Sequence, residues 1–296
     1  MTAGSTLPRR ALGRQLRELR ERNDISQNAA ARIIETSPQT YGRLEDGKVT
    51  KTTDLIISAL ANAFNASDEE RRLLLDLAQE IREAPTSKGG LWRAHADVIP
   101  KAFNHYLALE EAARRIVTWQ TILIPGLLQT REYRRALVWA ERPNVPSEEV
   151  ERVLDFVMRR QELLNSGDFH FEAILSEAVL RYLVGGPGII SDQFRHLVEL
   201  SEMPNVSLRI VPFDAQTPVA YIPRSPFVMF DFPPLPTSRQ VEPPVVYIEG
   251  YVGDLYLERD VEVAQYADVV RRLAQVALPE AASRDLVPAS MKELMT

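Results

Sequence analysis

Two serines, Ser26 and Ser37, constrain the N-terminal part of this chain more than any other feature. Ser26 precedes a run in which Ala30, Ile33 and Ile34 recur at helical spacing, so its hydroxyl is placed to accept an orphan amide hydrogen at a helix start. Ser37-Pro38 repeats the signal. Proline at a first helical position has its dihedral already set and gives up only a hydrogen without a partner, so a second helix is expected from Pro38. It should stop near Asp46-Gly47, where glycine takes the left-handed cap conformation. Ser26 to Gly47 therefore reads as two short helices around a tight turn, the arrangement that seats its second helix in the DNA major groove. On that second helix Tyr41 and Leu44 face inward, while Gln39, Thr40 and Arg43 fall on the outer side as a candidate reading head.

The flanking sequence extends the pattern to five helices. Pro8 to Arg22 carries Leu12, Leu16 and Leu19 as an apolar stripe, with six arginines on the rest of its surface, some of them paired with Glu18 and Glu21. Asp54 to Phe64 and Ser67 to Glu83 repeat the helical spacing through Leu55, Ile56, Leu60 and Phe64, and then Leu73, Leu74, Leu77 and Ile81. The net charge of −6 is unlike a nucleic-acid binder until it is divided along the chain. Residues 1 to 64 hold ten Lys/Arg against seven Asp/Glu, whereas the remainder holds 25 against 34. Phosphate neutralisation is local, so a modestly basic head can coexist with an acidic body. With no cysteine, disulfides and thiolate metal sites are excluded. No apolar run of about 18 residues marks a membrane span, and the N-terminus lacks a secretory signal, so a cytoplasmic protein is expected.

The phrases Leu16-Arg17-Glu18-Leu19-Arg20, Ile25-Ser26-Gln27, Ala31, Ser37 and Arg43-Leu44-Glu45-Asp46-Gly47-Lys48 resemble the XRE-type helix-turn-helix family over roughly residues 9 to 66. The resemblance implies that Gln27 touches a phosphate and that the first exposed positions of the second helix, Pro38, Gln39 and Thr40, meet bases, with Arg43 a turn later. Pro38 can offer only apolar contact. Gln39 suits adenine, Arg43 suits guanine, and Thr40 is adaptable. Lys48 and Lys51 would clamp phosphates. The same resemblance makes Arg20 and Glu45 a buried ion pair of the scaffold. Glu35 stands where that family usually has glycine, a departure that strains the turn by about 1 kcal/mol.

Pro85-Thr86-Ser87-Lys88-Gly89-Gly90 has linker composition, which puts the domain boundaries at 1–84, 85–90 and 91–296. The expected fold class is an all-α five-helix helix-turn-helix domain followed by a larger mixed α+β domain. Helical patterns occur at Pro100 to Arg115, Thr130 to Glu141, Ser147 to Leu164, Ser191 to Glu202 and Asp260 to Ala277, the last three opening on Ser or Asp caps. Strand-like runs occur at Phe169 to Leu175, Ser207 to Pro212, Phe227 to Phe232 and Val245 to Glu249, with Phe232 to Pro244 a long, mobile proline-rich loop. Leu123-Ile124-Pro125-Gly126-Leu127-Leu128-Gln129-Thr130 with Tyr133, Glu110-Glu111-Ala112-Ala113, Pro204-Asn205-Val206, Val211-Pro212-Phe213, Ser225-Pro226-Phe227 and Val245-Val246-Tyr247-Ile248-Glu249 together resemble the large C-terminal domain of WhiJ-like actinobacterial regulators. That resemblance implies an antitoxin-like transcription regulator controlled by a small protein partner encoded nearby.

Catalysis finds no support. His95, His105, His170 and His196 lack ligand spacing, so no metal and no cofactor is expected. Ser176, Glu177 and Glu249 lack the positioned partner that nucleophilic or acid/base chemistry needs, and Gly185-Gly186-Pro187-Gly188 reads as a turn. Trp119, Trp139, Tyr221, Tyr247, Tyr251 and Tyr256 are compatible with core, with a small-molecule cavity or with a partner surface. The expectation is a homodimeric repressor on a palindromic operator of double-stranded DNA, working without a membrane. The alternatives are a small-molecule-responsive repressor and an interaction module whose head does not bind DNA.

Overall fold

The computed structural model describes residues 6–83, 103–215 and 223–294. The linker at Pro85–Gly90, His95 and Tyr221 lie outside the described residues. The chain divides into two compact units, one made of residues 1–93 with 232–242 and the other of 94–231 with 243–296. A single break near residue 85 therefore misses a segment from much later in the chain that belongs to the first unit.

The first unit has the five expected helices: α1 (Thr6–Arg22), α2 (Gln27–Ile33), α3 (Pro38–Glu45), α4 (Asp54–Ala63) and α5 (Asp68–Glu83). Local chemistry sets their starts. Ser26 Oγ accepts from Ala29 N, Ser37 Oγ from Thr40 N and Thr53 Oγ1 from Ile56 N. Ahead of α5, Ser67 and Glu70 form a reciprocal capping box, with Ser67 N donating to Glu70 Oε2 at 2.8 Å and Glu70 N to Ser67 Oγ at 3.2 Å. The core collects Leu12, Leu16 and Leu19 of α1, Tyr41 and Leu44 of α3, Ile57 and Leu60 of α4, Phe64, and Leu74 and Leu77 of α5. Ile33, grouped with the apolar positions of α2 by its spacing, is instead exposed at the end of the helix. Glu35 sits in the turn between α2 and α3 at φ +51°, the left-handed region that suits glycine.

The second unit is built on a six-stranded sheet of order β3-β2-β1-β4-β5-β6. Its strands are β1 (Arg115–Gln120), β2 (His170–Ser176), β3 (Val206–Val211), β4 (Phe227–Asp231), β5 (Val245–Ile248) and β6 (Leu255–Leu257). β1, β2 and β3 run parallel, and β4, β5 and β6 continue antiparallel from β1. Its helices are α6 (Phe103–Ala112), α7 (Arg131–Glu141), α8 (Ser147–Arg160), α9 (Pro187–Leu200), α10 (Asp260–Val276) and α11 (Glu280–Leu294). One side of the sheet, including Val117, Trp119, Ile174, Phe227, Met229 and Val246, packs with Val263 and Leu273 of α10. Tyr106 of α6 meets Phe230 and Tyr247 edge-on, with centroids 5.3 and 4.9 Å away.

Several expectations change here. Arg115 to Gln120, where the sequence pattern ends a helix at Arg115 and marks no strand after it, is the strand on which the others assemble, and β6 and α11 are further additions. Thr130 heads α7 and caps it with its side chain, accepting from Tyr133 N. The proposed caps at Ser147, Ser191 and Asp260 fail: α8 starts behind Pro146, α9 starts at Pro187 behind Gly186 at φ +93°, and α10 follows Arg259, none with a side-chain cap bond. The Gly185-Gly186 turn is thus the lead-in to α9.

A buried ion pair ties α6 to α8. Arg160 donates through Nε and Nη2 to the two oxygens of Glu110, both at 2.7 Å, while its guanidinium lies 5.5 to 5.8 Å from the centres of Phe103, Phe156 and Tyr106. Glu110→Ala would strand the Arg160 charge among apolar rings. The expected loss is about 3 to 5 kcal/mol in urea unfolding of the full chain, with a smaller loss when Arg160→Met is added, since no charge is then left unpaired.

Candidate nucleic-acid interface

The outward face of α3 has a buried anchor on its inward side. Glu45, the last residue of α3, has a side chain with no exposed surface. It accepts Arg20 Nε at 2.5 Å on Oε1, and Arg20 Nη2 at 3.1 Å and Gln27 Nε2 at 2.8 Å on Oε2. Arg17 Nε stands 3.5 Å from Oε2. One carboxylate thereby joins α1, the start of α2 and the end of α3. Burial raises the pKa of Glu45, but the hydrogen bonds from Arg20 and Gln27 and the charge of Arg20 outweigh it and hold the carboxyl below its ordinary value. Arg20 also donates to Ile25 O at 2.9 Å, fixing the chain just ahead of the Ser26 cap.

Two glycines let the helices come this close. A β-carbon on Gly13 would stand 2.3 Å from Glu45 O and 2.7 Å from Leu44 O, and one on Gly47 would stand 2.9 Å from Arg10 Cα. Gly47 also has φ +64°. Its N–H donates to Leu44 O at 3.1 Å and that of Lys48 to Arg43 O at 2.9 Å, closing the end of α3. Gly13 went unremarked in the sequence, because nothing local distinguishes a packing glycine inside a helix.

Against this frame Pro38, Gln39, Thr40 and Arg43 are all exposed, and Tyr41 and Leu44 are buried. The Thr40 hydroxyl is 2.9 Å from Ser37 Oγ, which fixes its rotamer. Arg43 Nη2 makes one long bond, 3.3 Å, to Val49 O. Lys48 Nζ is 3.1 Å from Asp46 Oδ2, an exposed pair worth at most about 1 kcal/mol, so the ammonium can exchange partners cheaply. Lys51 is exposed beyond it, and Gln27 is exposed although its amide reaches Glu45.

Elsewhere several of the candidate chemical groups are held in structural contacts. Ser176 Oγ accepts from Ala178 N, and Glu177 accepts from Phe213 N at 2.9 Å and pairs with Arg181. His105 packs on Tyr256, and His196 lies 3.9 Å from Glu199, its pKa lowered by burial. Among the described residues no group of three His, Asp or Glu is gathered as a metal site. A cavity of about 400 Å³ opens at the amino ends of β1, β2 and β3, and Arg115 at its edge is paired with Glu172 and Asp231. Among the described residues no helix is long and apolar enough to cross a membrane.

Comparison with known families finds two matches along the chain. Residues 103–288 match a domain of unknown function, DUF5753. The chain belongs to the DUF5753 family. Residues 11–74 match a helix-turn-helix domain, so this DUF5753 member carries a DNA-binding head and is a helix-turn-helix regulator. No curated protein and no solved structure matches the chain.

Gly13→Ala should force α1 and α3 apart at a point where only backbone can yield. The expected cost is about 3 kcal/mol of stability, read by denaturant unfolding of the full chain. The acid side gives a second expectation. Glu70, held by Arg22 and the Ser67 amide, titrates at about 2 instead of the ordinary 4.5. A carboxyl whose folded pKa is depressed stabilises fully above its unfolded value and loses that stabilisation as pH falls through the folded one. Glu45 acts with the same sign. The stability read by calorimetry should therefore drop between pH 4.5 and about 2, and Glu70→Gln should flatten that drop.

Proposed function

We propose that this protein is a sequence-specific transcription repressor that binds DNA as a homodimer, reading two half-sites of a palindromic operator about one helical turn apart. The observation that carries this reading is the exposed trio Gln39, Thr40 and Arg43 on a helix whose opposite side is pinned by the buried Glu45 hub. Gln39 and Arg43 match the hydrogen-bonding edges of adenine and guanine, Thr40 adapts to either, and Pro38 adds apolar contact. Gln27, Lys48 and Lys51 hold phosphates and set register. The second NH hydrogen of Gln27 is not taken up by its bond to Glu45, and the Lys48 pair with Asp46 is easily exchanged.

The second unit takes the dimerising and sensing role, with a small protein encoded nearby as the controlling partner in an antitoxin-like arrangement in the cytoplasm. The resemblance to WhiJ-like regulators supports this, as does the turn between β5 and β6, where Tyr251 and Val252 are almost wholly exposed. A small-molecule effector is the competing reading. A mobility shift on the protein's own promoter region, with and without the neighbouring gene's product, separates the two, and sedimentation tests the dimer.

For the reading head, Arg43→Ala should lose about 1 to 3 kcal/mol of discrimination at one base pair per half-site, measured by fluorescence anisotropy against a panel of single-base variants. Lys48→Ala should weaken operator and random DNA alike and reduce the salt slope by about one. Equal loss on operator and random DNA for Arg43→Ala would remove Arg43 from base readout.

A further inference from the structure

The segment Phe232–Glu242, which belongs to the first unit, is not a mobile loop. Pro234 and Val241 form a bridge, Leu235 N donates to Gln240 O at 2.8 Å, and Arg239 closes the turn at φ +58° with its N–H on Leu235 O. Phe232 and Leu235 are buried. Glu242 is 2% exposed, with its carboxylate 2.9 Å from Arg14 Nη2 and 3.7 Å from Arg10 Nε. The Arg10 guanidinium also lies 5.7 Å from the centre of the Phe232 ring. From α5, buried Glu80 accepts the backbone amides of Thr237 at 2.7 Å and Ser238 at 2.6 Å. Two helices of the head thus present charged side chains to one hairpin.

What this seat does follows from where Arg10 and Arg14 lie on α1. Gly13, between them, is the residue that admits the Leu44 and Glu45 carbonyls, and the backbone of Arg10 is what Gly47 packs against. One stretch of α1 therefore holds the hairpin through its side chains and the end of α3 through its backbone. We propose that Glu242 is a positioning residue for α3: the hairpin 232–242 is an integral part of the DNA-binding unit and sets the placement of the recognition helix without touching DNA. The proposal rests on the reading of α3 as the base-reading helix. In the chain the hairpin lies between β4 and β5.

The test uses the full chain with Glu242→Gln, Glu242→Ala and the double variant Glu80→Gln/Glu242→Gln, at a temperature where each is folded. Hydrogen exchange is followed at the amides of Leu235 and Arg239, which report the hairpin, and of Gly47 and Lys48, which report the end of α3. Binding to operator and to random DNA is measured alongside. Exchange at all four amides should rise about 10-fold while β1 and β2 amides keep wild-type rates. Operator affinity should fall about 10-fold and random-DNA affinity less than about twofold, because placement governs base contacts more than phosphate contacts. Glu242→Asp should recover part of both, which a generally destabilised head would not do selectively. Wild-type rates at Gly47 and Lys48 with a released hairpin would overturn the proposal. So would wild-type rates at Leu235 and Arg239 in the double variant, since the charged seat would then not hold the hairpin. Faster exchange at Gly47 and Lys48 in a protein whose wild type does not distinguish operator from random DNA would support the positioning role and overturn the base-reading assignment of α3 instead.

Discussion

A carboxylate with no solvent-exposed surface is expensive unless every lone pair is answered, and Glu45 is such a group. Arg20 answers it with two donors, Gln27 with one, and Arg17 adds a partly exposed charge. These partners come from two other helices, so the cheapest way to satisfy the charge is also the arrangement that fixes α1, α2 and α3 against one another. That matters because α3 has eight residues, too few for a helix to persist by its own propensity. The direction in which Gln39 and Arg43 point is therefore a tertiary property. Gly13 and Gly47 serve the same end by letting backbones approach where any side chain would hold them apart.

The parts of this arrangement that are written locally are the parts that can be read locally. A cap, a proline at a first turn and a glycine at a last one act within four residues, and so Ser26, Ser37-Pro38 and Gly47 mark α2 and α3 in the sequence. The same signals mislead in the second unit, where Pro146, Gly186-Pro187 and Arg259 start helices and the nearby serines and aspartate only look the part. β1 is illegible for a different reason. Ile116, Val117, Thr118 and Trp119 are buried in succession because both faces of the strand are covered, which removes the alternation that betrays a half-exposed strand. β6 is three residues long and exists through its pairing with β5, while α11 carries Pro288 in its interior, normally a reason to reject a helix. Glu242 and Arg14 are 228 residues apart, and no spacing rule can announce that pair.

The arginine face of α1 shows what a charge count along a sequence conceals. Six arginines suggest a broad basic surface, yet Arg20 is spent inside on Glu45, Arg17 reaches Glu45 and Asp46, Arg22 pairs with Glu70, and Arg10 and Arg14 turn to Glu242. Most of the positive charge of this helix is internal wiring. Exposed cations on and just after α3 include Arg43, Lys48 and Lys51, and Lys48 shares Asp46 with Arg17.

That narrow footprint bears on how such a head can work. Each phosphate neutralised contributes about −0.9 to the slope of log affinity against log salt, so a head that met DNA through Arg43, Lys48 and Lys51 alone would gain little from the polyelectrolyte effect and lose little in salt. Its non-specific binding would then be weak, in keeping with a net charge of −6 over the whole chain. The same scarcity leaves a single head short of the affinity a regulator needs. Two rigidly related heads would add their contacts and gain from effective concentration, but only if each α3 is held in a fixed direction relative to the axis between them. Flexible anchoring would forfeit that gain. A recognition helix secured from behind by a buried carboxylate, two glycine contacts and a hairpin from the distant β4–β5 connection is a physical answer to that requirement.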